Sequence, residues 1–490
     1  MKVSIVTEGF YHTGYGHLTR CLSLYQAFEQ RNIFPVFFIN GDNECRSVLP
    51  ETRHNIFDWL NNQDELLSKV KGSDIIIIDS YLAPLEMYYR IAASTAYPVF
   101  IDDNMRLDYP EGTVVNGSIY AEQLNYPGRL ETNYLLGPKF IPLRNDFWQV
   151  REKPIRPELQ SVLLTFGGQD LANMTPRLLR MLVRNRPDLT KKVVVGSGFK
   201  NLNLINEAKD TKTELYYSPA SAEMVKIMLE SDLAISAAGQ TLYELARTGL
   251  PTIAISVAEN QNANLEGWIK EGFLTSSFNN ETVNLENRLM VVFNNYKNRD
   301  LRYKVGSLGK KIVDGLGAGR IVQSILDQMI KRNGGAYLRT AVESDSMLVF
   351  NLSNERSVRL NSIVQEPISW QDHSFWYPNK IRDRNTLFLL AFTGNDEFVG
   401  QIRFEAKGSD ATVSISINKN FRGKGLSTPL LIKSSFNYLK IYPEINSILA
   451  YIRPGNNQSI KSFSGAAYVF FHEEMVNGES FLVYKLVRQS

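Results

Sequence analysis

MKVSIVTEGFYHTGYGHLTRCLSLYQAFEQ, residues 1–30, is the stretch whose reading decides the fold of the first part of this chain. Met1 to Thr7 is a short, mostly apolar run that predicts a buried β-strand, and Leu18 to Gln30 carries apolar residues at helical spacing. Gly14-Tyr15-Gly16-His17-Leu18-Thr19-Arg20 therefore lies at a strand-to-helix turn, where α/β sheets bind ligands. Gly14 and Gly16 let backbone approach a bound molecule, and the start of a helix favours anionic groups. A neutral His17 imidazole in that turn can take a proton from water near neutral pH. Gly-x-Gly alone is a weak signal; Gly-x-Gly-His-x-x-Arg is much narrower. His12 and His54 have no comparable setting.

Outward from this turn, apolar runs alternate with amphipathic stretches. To about residue 150 the strand candidates are Val3–Thr7, Val36–Asn40, Ile75–Asp79, Pro98–Asp102 and Gly112–Asn116. Strands separated by helices predict a parallel, doubly wound sheet. Trp148 to Glu158, charged and with two prolines, reads as a linker. A second series follows: Ser161–Thr165, Lys192–Val195, Glu214–Tyr217, Leu233–Ser236 and Thr252–Ser256, with helices starting near Met174, Ala220, Thr241 and Asn262. Arg302 to Arg332 is a long helical pattern broken by glycines. Beyond Asn333-Gly334-Gly335 the pattern changes to a strand and a helix, then Leu387–Phe392, Phe398–Glu405, Thr412–Asn418, Ser447–Ile452 and Ser480–Leu486. The expected architecture is α/β: two Rossmann-like domains, 1–150 and 151–333, followed by an α+β domain over 337–490.

A net charge of +3 on 490 residues, with basic side chains scattered, gives no footprint for nucleic acid. Cys21 and Cys45 have no metal-binding spacing, and Cys21 reads as a small apolar core residue. With no Asp-x-Asp motif, no metal is expected. No apolar run approaches the roughly 20 residues that span a bilayer, and the first residues enter a strand without a charged leader. A cytoplasmic protein with no membrane insertion is expected.

In the second series Gly167-Gly168-Gln169-Asp170 follows the strand SVLLT, and Gly168 falls where glycines shape phosphate-facing loops or plain tight turns. Ser236 to Glu244 (SAAGQTLYE) is stronger. Gly239, Gln240 and Thr241 open a helix whose free N–H groups suit a diphosphate, and Glu244 lies one turn further in, where a carboxylate can accept from ribose hydroxyls. Asn260 and Gln261 end the next strand with amides that both donate and accept, suited to an N-acetylated, hydroxylated sugar.

Taken together, GYGHLTR (14–20), IIIIDSY (75–81), Asp102-Asp103, LLGPKFIPLR (135–144), LLTFGGQD (163–170), AAGQTLYE (237–244), AENQ (258–261) and DGLGAGR (314–320) resemble the UDP-sugar hydrolase of pseudaminic acid biosynthesis. That enzyme is related to the GT-B glycosyltransferases. The resemblance covers about 330 residues and implies a GT-B arrangement of the first two domains. It implies release of UDP from UDP-2,4-diacetamido-2,4,6-trideoxy-β-L-altropyranose, with His17 as catalytic base, Tyr81 and Asn260 near the reacting sugar, Glu244 on the ribose and Arg20 within the substrate motif. Hydrolysis with inversion follows, water replacing a sugar acceptor.

In the third block a strand ends at Asn418, and Arg422-Gly423-Lys424-Gly425-Leu426-Ser427 leads into a helix from Thr428. Successive N–H groups of such a turn form an anion nest suited to a pyrophosphate. The run resembles the acetyl-CoA loop of the GNAT superfamily, with Ser427 replacing the usual final Gly or Ala. Asn456-x-x-Ser459-x-x-x-Phe463-x-x-x-Ala467-Tyr468 resembles that superfamily's cofactor-arm segment. Phe463 occupies the position of the usual acidic tyrosine, so water or Tyr468 would serve. His373 reads either as a base on the acceptor side or as part of a capped helix starting at Ser369. The two resemblances imply one bifunctional chain, with acetyl-CoA as co-substrate, that N-acetylates a UDP-4-amino sugar and hydrolyses the product. The alternatives are a GT-B glycosyltransferase with a sugar acceptor and a non-catalytic UDP-sugar-binding scaffold.

Overall fold

The computed structural model describes residues 1–10, 15–49, 52–332 and 335–488. The chain divides into two compact units: Lys2–Gln30 with Phe34–Val322, and Met1, Arg31–Ile33 with Gln323–Ser490. The fold is α/β.

The larger unit carries two parallel sheets. The first has strands β1 (Val3–Gly9), β2 (Val36–Gly41), β3 (Arg53–Ile56), β4 (Ile75–Asp79), β5 (Tyr97–Ile101), β6 (Thr113–Asn116) and β7 (Asn133–Leu136). Their order is β3-β2-β1-β4-β5-β6-β7, every pair parallel. Strands β1 and β4 are central and buried along their whole length, as expected of strands covered on both faces. Helix α1 (Gly16–Glu29) starts two residues before its apolar pattern and buries Leu18, Cys21, Leu22, Leu24, Tyr25 and Phe28. The edge strand β3 reads RHNI, and β7 has only four residues; neither carries the apolar run by which central strands are recognised.

The second sheet has β8 (Ser161–Thr165), β9 (Thr190–Val195), β10 (Thr213–Tyr217), β11 (Leu233–Ala237), β12 (Thr252–Ser256) and the two-residue β13 (Phe278–Asn279). Its order is β10-β9-β8-β11-β12-β13, again parallel. The long helical pattern resolves into two helices, Arg299–Ile312 and Gly317–Arg332, parted at Gly315, whose φ of +85° suits glycine. The charged segment read as a linker is pinned down. Lys153 Nζ is buried and donates to Leu229 O at 2.7 Å and Met228 O at 3.3 Å, and Arg302 Nη2 donates to the Arg156 and Pro157 carbonyls at 2.9 Å. Its charges act as clamps on helix ends, which composition alone does not show.

The smaller unit holds a third sheet: β14 (Tyr337–Thr340), β15 (Thr386–Phe392), β16 (Phe398–Lys407), β17 (Asp410–Ile417), β18 (Ser447–Ile452), β19 (Val469–Val476) and β20 (Glu479–Val487). The order is β14-β15-β16-β17-β18-β20-β19, antiparallel except for the β17–β18 pair. That parallel pair is in register only over Asp410, Ala411 and Thr412 against Ser447, Ile448 and Leu449. Both strands continue past it, so they part and leave backbone groups without a partner strand between them. Among the described residues no helix is long and apolar enough to cross a membrane.

Candidate active sites

In the first sheet the chain runs outward through β1, β2 and β3, then returns to lay β4 on the other side of β1. The carboxyl ends of β1 and β4 therefore form a switch point, the place where open α/β sheets take ligands. Glu8 is the last residue but one of β1, Asp79 closes β4, Ser80 and Tyr81 follow it, and the first turns of α1 bring His17 and Arg20.

His17 Nδ1 lies 2.6 Å from Asp79 Oδ1. Two bare acceptors would repel at that distance, so Nδ1 carries the proton and donates it to the carboxylate. Arg20 donates to the same carboxylate, Nε to Oδ2 at 2.5 Å and Nη2 to Oδ1 at 2.6 Å, and its Nη1 donates to Asp103 Oδ1 at 2.6 Å. Burial pushes the Asp79 carboxyl up, but Arg20 and His17 more than offset this and hold it well below the usual carboxylate range. With Nδ1 committed, His17 Nε2 keeps its lone pair. This is the arrangement in which a buried carboxylate fixes the tautomer of a catalytic imidazole. Nε2 lies 3.8 Å from Glu8 Oε1, and the His17 side chain is 19% exposed against 0% for Asp79.

Tyr81 packs edge-on against the His17 ring, centroids 4.5 Å apart, and its hydroxyl donates to Asp103 Oδ2. Burial and Asp103 push its phenol well above the ordinary tyrosine range, so the hydroxyl stays protonated. Of the residues expected here, Gly14 lies outside the described residues. Gly16 begins α1 and faces open space, with no atom within 4 Å of where a Cβ would stand. Arg20 is buried and its guanidinium is engaged by Asp79 and Asp103. Glu8 was not singled out in the sequence, Asp79 entered only as the end of a strand and a letter of IIIIDSY, and Asp103 only as half of the Asp102-Asp103 pair.

The second sheet repeats the topology, with its switch point between β8 and β11. After β8, Gly167 (φ +73°) and Gly168 face open space, while Asp170 accepts from Met174 N at 2.8 Å and Thr175 N at 2.7 Å to cap the next helix. After β11, Gly239 and Gln240 lead into the helix Thr241–Thr248. A Cβ on Gly239 would stand 3.8 Å from Gln261 Nε2, and Gln261 Oε1 accepts from Val257 N at 3.0 Å, so two loops at the carboxyl end of this sheet meet. Tyr243 and Asn264 lock the turn from below, Tyr243 OH donating to Asn264 Oδ1 at 2.7 Å and Asn264 Nδ2 to Ala238 O at 2.8 Å. Glu244 accepts from Arg144 Nη2 at 2.9 Å. Asn260 is exposed in the turn Glu259–Gln261.

In the smaller unit the loop after β17 carries Gly423 and Gly425, each at φ +75° and each with no atom within 4 Å of a Cβ position. Leu426 and Ser427 then enter the helix Ser427–Ile441. Lys424 Nζ sits 4.8 Å from the Phe421 ring centroid. Arg422 anchors the loop from behind, donating to Ile417 O at 2.7 Å, Ser357 Oγ at 2.6 Å and Glu355 Oε2 at 2.5 Å. Asn456 Oδ1 accepts from Ser459 N at 3.1 Å and caps the helix Asn457–Gly465. Phe463 is core, edge-on to Tyr468. Tyr468 itself is 1% exposed and bonded to Ser435 Oγ at 2.7 Å, so it is no accessible proton donor. His373 is equally buried, donates from Nε2 to Ser346 O at 2.9 Å and stacks on Tyr377. Burial pushes its imidazolium down, favouring the neutral ring. Ser369 caps its helix, so the structural reading of this segment holds. Among the described residues no three His, Cys, Asp or Glu side chains are grouped to hold a metal ion.

No family model matches the chain. It is 24% identical over 496 residues to an uncharacterised protein of Methanocaldococcus jannaschii, covering 96% of both. The spore coat polysaccharide biosynthesis protein SpsG of Bacillus subtilis is 25% identical over 67% of this chain and 98% of its own length. The pseudaminic acid cytidylyltransferase and UDP-2,4-diacetamido-2,4,6-trideoxy-beta-L-altropyranose hydrolase of Helicobacter pylori is 27% identical over 53% of this chain and 45% of its own. Among solved structures, a spermidine N-acetyltransferase of Vibrio cholerae with CoA and spermine matches 32% of this chain and 96% of its own at 17% identity, TM-score 0.29.

Proposed function

We propose that the chain is a bifunctional nucleotide-sugar enzyme. Its larger unit, in a GT-B arrangement, hydrolyses UDP-2,4-diacetamido-2,4,6-trideoxy-β-L-altropyranose to the free sugar and UDP, and its smaller unit N-acetylates the UDP-4-amino precursor. The observation that carries the hydrolase reading is the Asp79–His17 pair at the switch point of the first sheet, with Nδ1–H held by the carboxylate and Nε2 left as a base. The similarity to the Helicobacter pylori hydrolase supports the choice of substrate.

In this reading His17 Nε2 takes the proton of the attacking water, Asp79 steadies the imidazolium, and Tyr81 lines the sugar. Positioned general-base catalysis contributes about 10²–10⁴ in rate. The N–H groups at Gly239, Gln240 and Thr241 receive the diphosphate as charge builds on it, with Gly168 facing it and Glu244 on the ribose. Asn260 and Gln261 address the acetamido groups. In the smaller unit two left-handed glycines flank Lys424, and a Cβ on either would meet only open space, a Gly-rich turn with room for a pyrophosphate against its backbone. Unpaired backbone between β17 and β18 fits an amide-bearing arm beside it. Gly423, Lys424, Gly425, Leu426 and Ser427 would hold acetyl-CoA, which supplies an activated acyl group; Arg422, Asn456 and Ser459 shape the loop and helix around it.

The test is mass spectrometry on the chain given acetyl-CoA and the UDP-4-amino sugar. The expected products are the acetylated UDP-sugar, then free diacetamido sugar and UDP. UDP release only when a sugar acceptor is added assigns the larger unit to glycosyl transfer instead. Neither product from well-folded protein rejects both halves.

A further inference from the structure

We propose that Glu8 is a second catalytic acceptor, gripping the attacking water together with His17 Nε2 by both of its protons. The proposal rests on the hydrolase reading above. Glu8 lies one residue before the end of β1 and is 6% exposed. Its Oε2 is occupied by the Ser80 hydroxyl, with Leu82 N–H at 3.4 Å. Its Oε1 accepts a bond from Tyr81 N–H at 2.9 Å. A carboxylate oxygen accepts about two hydrogen bonds, and no second donor to Oε1 is found among the described residues. The remaining lone pair belongs to the oxygen that stands 3.8 Å from His17 Nε2.

Those two atoms are both acceptors, because Asp79 holds the ring proton on Nδ1. They do not bond to each other, yet they are spaced for one shared donor. A water about 2.8 Å from each would subtend roughly 85° at its oxygen, and widening the gap by about half an ångström brings it to the natural angle of water. Both O–H bonds of that water point into the protein, so its lone pairs point outward, oriented for attack. Tyr81 adds only a ring contact beside His17, its hydroxyl being given to Asp103.

The step balances. The water oxygen uses a lone pair to bond the anomeric carbon, and the bond from that carbon to the diphosphate oxygen breaks with its electrons on UDP. One water proton moves to His17 Nε2. The other stays on the new sugar hydroxyl, still donated to Glu8 Oε1. Methanol has one O–H and can satisfy only one of the two acceptors, so the intact pair selects water over methanol.

The experiment measures UDP release from the diacetamido UDP-sugar by the full chain, Glu8→Gln and Glu8→Ala, in buffer, in added methanol and in added formate. Absence of UDP release by the unmodified chain overturns the hydrolase reading and this proposal with it. Given release, Glu8→Gln is expected to lower kcat about 10²-fold with KM within threefold. The methyl glycoside share of its product is expected to rise at least fivefold, and formate to restore Glu8→Ala at least tenfold. A kcat for Glu8→Gln within threefold of the unmodified chain overturns the role of Glu8 alone. So does a loss with unchanged methanol partition and no formate rescue, which is the signature of a carboxylate that merely holds the Ser80–Tyr81 turn.

Discussion

Asp79→Asn is the substitution that most directly tests whether the buried fork sets the state of His17. The carboxylate receives four donated bonds: His17 Nδ1–H and Arg20 Nη2–H on Oδ1, and Arg20 Nε–H and, at 3.6 Å, the weak Cys21 Sγ–H on Oδ2. An amide has one acceptor oxygen and one donor nitrogen. With its oxygen toward His17, the NH2 group confronts Arg20 Nε–H. Flipped, the oxygen satisfies Arg20 Nε, while the NH2 group donates to His17 Nδ1 and forces the ring proton onto Nε2, where it blocks acceptance from water. Every orientation sets two donors against each other, and Arg20 keeps only Asp103 as an ionised partner. One charge-assisted bond and half the compensation of a buried guanidinium are lost, a cost of about 2–4 kcal/mol in unfolding free energy. Turnover should fall about 10³–10⁴-fold, the scale seen when a buried carboxylate orienting a catalytic histidine becomes an amide.

The assays are denaturant unfolding across pH and UDP release at a temperature where both proteins are folded. The direction with pH is fixed. A carboxyl held below its unfolded value contributes stability that is fully present above about pH 4 and lost as pH falls from there through the folded value. Asp79 is held low in the fold. The gap between the unmodified chain and Asp79→Asn should therefore be widest at neutral pH and shrink in acid. A variant within about tenfold of full turnover, or a stability gap of constant size down to pH 3, would refute the reasoning.

Two further outcomes concern the smaller unit. Gly425→Ala places a methyl group in open space but at φ +75°, so the cost is conformational, about 1–2 kcal/mol. Calorimetry should show acetyl-CoA binding weakened about tenfold or more with the unit still folded. His373→Phe removes one bond to Ser346 O and also a buried Nδ1 that has no partner. The ring stays among Phe350, Trp370 and Tyr377. Stability should change by no more than about 1–2 kcal/mol and acetyl transfer by less than threefold; a hundredfold loss of transfer at full stability would restore His373 as a base.

The parts of the fold that were legible are those where one face or both must be apolar. Ile75–Asp79, Ser161–Thr165, Thr252–Ser256 and Ser447–Ile452 were placed to the residue, because central strands leave little freedom in composition. Strands β3, β7, β13 and β19 escaped because an edge strand needs neither length nor alternation. Residues Val469, Phe470, Phe471 and Met475 of β19 are all exposed, so its apolar content follows no core face. The site divides in the same way. His17 was legible because the turn that presents it has its own local pattern. Its partners were not, because they meet it through sheet order: Glu8 and Asp79 are 71 residues apart in the chain and lie at the carboxyl ends of neighbouring strands only because β4 returns to the side of β1. The pairing of Thr7 with Asp79 then sets Glu8 one residue beyond the last β1–β4 pair. A one-residue slip of that register would turn Asp79 away from the helix that carries His17. The Asp79–His17 contact at the switch point is thus specified by the hydrophobic match of VSIVT with IIIID, which is the physical reason that a strand chosen for burial ends in the carboxylate that holds the His17 ring.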